Sequence, residues 1–367
     1  MIRVLHAVGK LHRAGQETIT MNIYRRIDRE RVQFDFLVHT FSECAYDREV
    51  LALGGRLYPI RKATRGVIRY VLTIRRIVRD NRYDIVHLHT AHSAGFLVLL
   101  GAKLGGARVR VAHSRNNMAK PVWLHKLLRP LIARYSTDRF ACSEQAGKWM
   151  FPRATFRVLR NAIDTRAFRF SPETRAQTRT QLGLGDSLTL GHIGRFTEQK
   201  NHPFLLDICQ CVKKRRPDVR LLLVGDGERM EDMRKEATAR GLTENVLFLG
   251  ARPDVPALLC AMDVFVFPSL YEGFGNVVIE AQASGVTCLV ADTLTRDTRA
   301  TEKIDYLPLG DAQRWADAIL AAGNGERELA AEQVARAGFD VAQAAQDYQA
   351  FYEEAERRCE RTSQGSR

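Results

Sequence analysis

Glu272 and Glu280 stand eight positions apart in YEGFGNVVIEAQASG, with Gly273 and Gly275 beside the first acid. If this stretch were one helix, eight steps of about 100° would leave the carboxylates roughly 80° apart around the axis, diverging. The glycines instead place Glu272 in a loop and start a helix near Asn276, with Glu280 on its second turn. Free N–H groups at the helix start line the gap between the acids. Two hydroxyl-rich groups bridged by phosphate would fill such a gap. A capped helix with one solvent-facing acid is the plainer alternative.

Cations accompany the acids. In GHIGRFTEQKNHPF, Gly194 permits close backbone approach while Arg195 and Lys200 flank a strand end and the start of the next helix, an arrangement suited to a diphosphate. Gly15, in LHRAGQETITMNIYRRI, marks a strand-to-helix turn where N–H groups and the helix dipole favour an anion. A plain tight turn explains it equally, and the G-x-G-x-x-G fingerprint is missing. His113 closes RVRVAH at a strand's carboxyl end, and His89 and His92 in HLHTAHSAG compete for the same role. With no Asp-x-Asp and no cluster at metal-ligand spacing, no metal or other cofactor is expected.

These groups need rigid elements to hold them. Short β-rich runs alternate with helical patterns along the 367 residues: RVLHA, FDFLV, RLYPI, YDIVHLH, RVRVAH, RFACS and FRVLR in the front half, LTLGHIG, VRLLLVG, NVLFLG, VFVFP and VTCLV in the back. Such alternation predicts an α/β fold of parallel sheets covered by helices on both faces. The series restarts near residue 187, after the polar RNAIDTRAFRFSPETRAQ. Two doubly wound domains facing across a cleft follow, residues 1–165 and 166–340, with ligands gathered beyond the strands' carboxyl ends. Residues 341–367 read as a helix packing back on the N-terminal domain and a disordered tail, RTSQGSR.

Charge is unevenly placed. Residues 1–170 carry 32 Lys/Arg against 12 Asp/Glu, while the rest carry 24 against 30, so the front half faces an anionic partner: nucleic acid, phosphorylated substrate or acidic membrane. AKPVWLHKLLRPLIARY mixes Trp123, Leu124, Leu127, Leu128 and Leu131 with Lys120, Lys126, Arg129 and Arg134. It reads either as a surface lying on acidic lipid or as an ordinary helix packing its leucines inward. Seven scattered cysteines suit inert thiols in a reducing compartment, and MIRVLHAVGK lacks the order of a secretion signal, so the expected location is cytoplasmic, with a peripheral place on the membrane's inner face left open.

Taken together, AHSRNN, ACSEQAGKW, RNAID, GRFTEQKNH, LLLVGDGE, FLGARPDVPALL and FPSLYEGFGNVVIEAQASG resemble the retaining GT-B-fold glycosyltransferases of family 4, marked by E-x7-E, and look nearest to those building bacterial exopolysaccharide and capsule. The resemblance implies a nucleotide-diphosphate-sugar donor, a saccharide or lipid-linked acceptor and front-face transfer without a metal. Arg195 and Lys200 would neutralise the diphosphate, Glu280 would bind the ribose, and Glu272 and His113 would contact the sugar. Gly194 and the backbone at Phe274, Gly275, Asn276 and Val277 would meet sugar and phosphate, Gly15 would close on the diphosphate, and Gly225 and Arg252 would lie by the base. The family's paired glycines are here Ala14 and Gly15, and ADTLTRDTRATEKIDYL lacks the usual small-residue turn. A sugar-nucleotide epimerase on the same fold is the rival enzyme. A nucleic-acid-binding protein is the rival of another class, but it lacks interleaved aromatics and leaves the acids unexplained.

Overall fold

The computed structural model describes residues 1–12, 15–116, 118–323 and 325–364. They form two compact units, Met1–Ala162 with the C-terminal segment from Val341, and Ile163–Asp340.

The first unit holds a seven-stranded parallel sheet of β1 (Ile2–Ala7), β2 (Val32–Val38), β3 (Leu57–Pro59), β4 (Ile85–Thr90), β5 (Val109–Ser114), β6 (Asp138–Ala141) and β7 (Arg157–Val158). Their order is β3-β2-β1-β4-β5-β6-β7, which reverses between β1 and β4. All seven residues of β2, VQFDFLV, are buried, as a parallel strand covered on both faces requires. Asp35 in its middle accepts hydrogen bonds from Arg3 at 2.5 Å, Tyr83 Oη at 2.6 Å and the Arg56 amide at 2.7 Å, which satisfies its buried oxygens.

The helix Val341–Gln364 packs into the first unit, setting Val341, Ala345, Tyr348, Tyr352 and Ala355 into one of its two apolar cores. That spacing of three and four is a helical stripe. Arg361–Gln364, expected in a disordered tail, continue the helix, because no glycine or proline interrupts the sequence before Gly365. Residues 365–367 lie outside the described residues.

The second unit repeats the plan with six parallel strands: β8 (Thr189–Ile193), β9 (Arg220–Val224), β10 (Val246–Gly250), β11 (Val264–Phe267), β12 (Thr287–Ala291) and β13 (Ile304–Leu307). The order β10-β9-β8-β11-β12-β13 reverses between β8 and β11. β13 was not expected from the sequence; its short IDYL sits in a polar run, and only pairing with β12 makes it a strand. Among the described residues no helix is long and apolar enough to cross a membrane.

Candidate functional site

In a doubly wound sheet the loops leaving the two strands at the order reversal diverge, which opens a crevice at their carboxyl ends. In the second unit those strands are β8 and β11. Their loops are stitched together: Leu270 N donates to Gln199 O at 2.9 Å, Gln199 Nε2 to Tyr271 O at 2.9 Å, and Asn201 Nδ2 to Pro268 O at 3.3 Å. Asn201 takes the left-handed conformation, φ 55°, which turns the chain from the short 3-10 helix Glu198–Lys200 into the helix His202–Lys213.

This stitching brings Lys200 and Glu272 together. Lys200 Nζ lies 2.6 Å from Glu272 Oε1, with side chains 16% and 10% exposed, and 4.5 Å from the centroid of the Phe267 ring. Gly194 makes room for the lysine, since a Cβ there would stand 3.1 Å from Lys200 Cδ and Cε. Gly225 is needed for a different reason: at φ +139° its Cβ would fall 2.1 Å from the Gly194 carbonyl oxygen. Its glycine is therefore explained by backbone crossing backbone. Arg195 is open to solvent, its guanidinium 3.8 Å from Glu228. Arg252, beyond β10, forks onto Asp254 at 2.6 and 2.8 Å.

Glu280 rides on the helix Asn276–Ala283, which starts where the glycine pattern placed it. Gly275 caps that helix at φ 82°, and a Cβ there would meet Leu294 at 3.0 Å. Glu280 keeps part of its surface accessible, yet desolvation pushes its carboxyl up to about 7. Among the described residues that carboxylate has no hydrogen-bond or ion-pair partner. Phe274 is buried with its ring 5.9 Å from that of Phe339, while Asn276 and Val277 are half-buried.

The remaining sequence-derived residues lie in the first unit. Gly15 begins the helix Gly15–Arg26; Ala14 lies outside the described residues, as does Asn117 of AHSRNN. His113 was expected at an open strand end, but its side chain is wholly buried, with Nδ1 3.1 Å from His87 Nε2 and 3.3 Å from Tyr348 Oη. The last helix covers it, a contact that local sequence does not announce. A pocket of about 480 Å³ opens at the carboxyl ends of β1 and β4, the order reversal of this sheet, and is bordered by Lys10, Glu17, His39, Lys62, Tyr70 and His92. Glu17 was not singled out from the sequence; burial raises its carboxyl, and only the fold shows that its helix start meets this pocket.

A larger cavity, about 1070 Å³, lies elsewhere, near the amino ends of β8 and β11. Its Arg175 and Arg179 are occupied by carbonyls of residues 260–262 and by Asp263 at 2.5 Å, so they brace the fold.

Two doubly wound units, with the Lys200–Glu272 pair and the helix that carries Glu280 following the strands of the second one's order reversal, define a Rossmann-like protein. Residues 13–167 match the family described as Glycosyltransferase Family 4, and residues 187–324 that described as Glycosyl transferases group 1. EpsF of Bacillus subtilis (strain 168), named as a glycosyltransferase, is 37% identical over 360 residues, 93% of this chain and 94% of its own. An Escherichia coli relative, named UDP-Gal:alpha-D-GlcNAc-diphosphoundecaprenol alpha-1,3-galactosyltransferase, is 27% identical over 69% of this chain and 70% of its own. The crystal structure of Anabaena Alr3699/HepE shares the GT-B fold with a TM-score of 0.80 at 21% identity, covering 96% of this chain and all of that one. The chain belongs to glycosyltransferase family 4 and is a transferase enzyme.

Proposed function

We propose that this enzyme moves a sugar, with its anomeric configuration retained, from a nucleotide-diphosphate sugar to a saccharide or lipid-linked saccharide during exopolysaccharide or capsule synthesis, and that it does so without a metal ion. The observation that carries the reading is the Lys200–Glu272 pair at the order reversal, with Glu280 unpartnered nearby on a helix start. Arg195 and Lys200 neutralise the diphosphate as it leaves, Glu280 accepts hydrogen bonds from the ribose hydroxyls, and Glu272 accepts from the transferred sugar. The amides at Gly275, Asn276 and Val277 approach the phosphates, Gly194 leaves them room, and Gly225 and Arg252 border the base.

In this mechanism the acceptor hydroxyl attacks on the face from which the diphosphate departs, so no enzyme nucleophile is needed. Rate comes from positioning the two partners and from stabilising charge on the leaving phosphate. Uridine nucleotides are the first donors to test, because Alr3699/HepE has been crystallised with UDP and with UDP-glucose and the E. coli relative is named for UDP-Gal. The same relative's name supports a diphosphate-lipid acceptor.

Such an acceptor places the protein at a membrane surface, and the helix Val122–Tyr135 supports that location. It buries only His125 and Ile132, leaving Trp123 67% and Leu127 66% exposed beside Lys126. An inward-packed leucine helix does not have that pattern.

Incubating the protein with a panel of nucleotide sugars and lipid-linked saccharides, and reading the product's anomeric configuration by NMR, tests the proposal. A retained linkage formed in the presence of a chelator supports it. An inverted product, or isomerised donor with no transfer, overturns it.

A further inference from the structure

The helix Val67–Asp80 has an outward face that packing within the first unit does not use. Tyr70, Val71, Ile74 and Val78 are buried, the inward stripe of a surface helix. Across the helix from them Ile68, Leu72, Arg75, Arg76 and Arg79 fall on one stripe, all exposed, Ile68 to 77%. A helix face built for water interleaves both signs of charge. This stripe carries two large apolar groups and cations instead.

The charge is one-sided well beyond this helix. Residues 61–135 hold 16 Lys/Arg and two Asp/Glu. Both acids already have arginine partners, Asp80 with Arg79 at 2.9 Å and Asp84 with Arg108 at 2.8 Å. Arg61, Lys62, Arg65, Arg69, Arg75 and Arg76 are exposed and make no ion pair among the described residues. Such a surface calls for an anionic partner.

The helices Val67–Asp80, Phe96–Leu104 and Val122–Tyr135 pack side by side in that order over one of the unit's two apolar cores. Their starts surround the pocket of about 480 Å³ at the carboxyl ends of β1 and β4. Lys62, Ala63 and Tyr70 border it from the first helix and the run leading into it, and Gly95 and Leu97 from the second. The third is tied on through Ser93, whose Oγ donates to His125 O at 2.7 Å and whose amide donates to His125 Nδ1 at 3.2 Å. Ile68 and Trp123 thus each stand two residues before the side chain that joins their helix to the pocket rim, Tyr70 and His125.

We propose that the outward face of the helix Val67–Asp80, with the basic run before it, docks on an anionic lipid bilayer beside the helix Val122–Tyr135, so that the pocket they flank opens at the headgroup layer. The mixture of groups selects the occupant. An interfacial helix sinks apolar side chains among the acyl chains while its cations meet lipid phosphates, whereas nucleic acid offers stacking to aromatic rings, which Ile68 and Leu72 lack. The inference deepens the membrane placement proposed above and rests on it, but it is independent of the donor and acceptor.

The test titrates the full chain at low salt with vesicles of phosphatidylcholine containing phosphatidylglycerol. Arg75→Gln with Arg76→Gln should weaken partitioning by about tenfold or more, and Ile68→Ser with Leu72→Ser comparably. A second measurement needs no loss of binding: Ile68→Trp in a Trp123→Phe background should show quenching by brominated lipid beyond that of Trp123→Phe alone. Unchanged partitioning in both double variants, or no added quenching, overturns the inference and leaves the membrane role of Val122–Tyr135 standing. No partitioning of the unaltered protein overturns both. Salt-sensitive binding of a single-stranded oligonucleotide without vesicle binding assigns the face to nucleic acid and overturns the inference as well.

Discussion

Lys200 and Glu272, 72 residues apart in the chain, meet at 2.6 Å across the order reversal of the second sheet. The resemblance had given the lysine to the diphosphate and the glutamate to the sugar, yet each holds the other in place. Lys200→Met and Glu272→Gln should each lower kcat by about 10²-fold, and the double variant should be little worse than the poorer single one. Initial rates across this double-mutant cycle decide it; losses that multiply would show two independent groups.

Gly225 is predicted to matter through backbone geometry. Gly225→Ala sets a Cβ at φ +139° against the Gly194 carbonyl, which has no flexible end to move aside. The expected cost is about 1–3 kcal/mol, seen as a Tm lowered by several degrees. An unchanged Tm in thermal melts contradicts the account.

Glu280 gives stability a pH slope. Its carboxyl titrates at about 7 in the folded protein against the ordinary 4.5, so between those values the folded state holds a proton that the unfolded chain has lost. Stability from this group therefore declines as pH rises through that window. Glu280→Gln removes the decline, so the variant's Tm should gain on the parent's from pH 4.5 to 7 and stay ahead above it. Parallel Tm curves from the two proteins would contradict the buried-carboxyl description.

Membrane association should follow the exposed face of Val122–Tyr135. Flotation with liposomes containing anionic lipid should carry the protein at low salt, and Trp123→Glu with Leu127→Glu should abolish it. No flotation with anionic liposomes at low salt removes the membrane role, and equal flotation with neutral liposomes removes the part assigned to charge.

Most of the strand frame was legible because parallel strands covered on both faces read as apolar runs, and the glycines at 273 and 275 placed the helix start at Asn276 correctly. β13 was not legible, since its four residues gain strand character only beside β12. The site was legible as a set of residue types but not as a set of contacts. Nothing local tells that Lys200 and Glu272 form a pair, or that Tyr348, 235 residues from His113, covers it.

The central claim is that the second unit holds a nucleotide diphosphate between its cations and Glu280. Calorimetric titration of UDP and other nucleoside diphosphates into the full chain tests it most directly, with Arg195→Ala and Glu280→Gln beside the parent. Arg195 is exposed, so its loss should leave Tm nearly unchanged while weakening nucleotide binding by about tenfold or more, and Glu280→Gln should weaken binding comparably. Equal affinity in all three proteins, or no binding of any nucleoside diphosphate by the parent, would contradict the account.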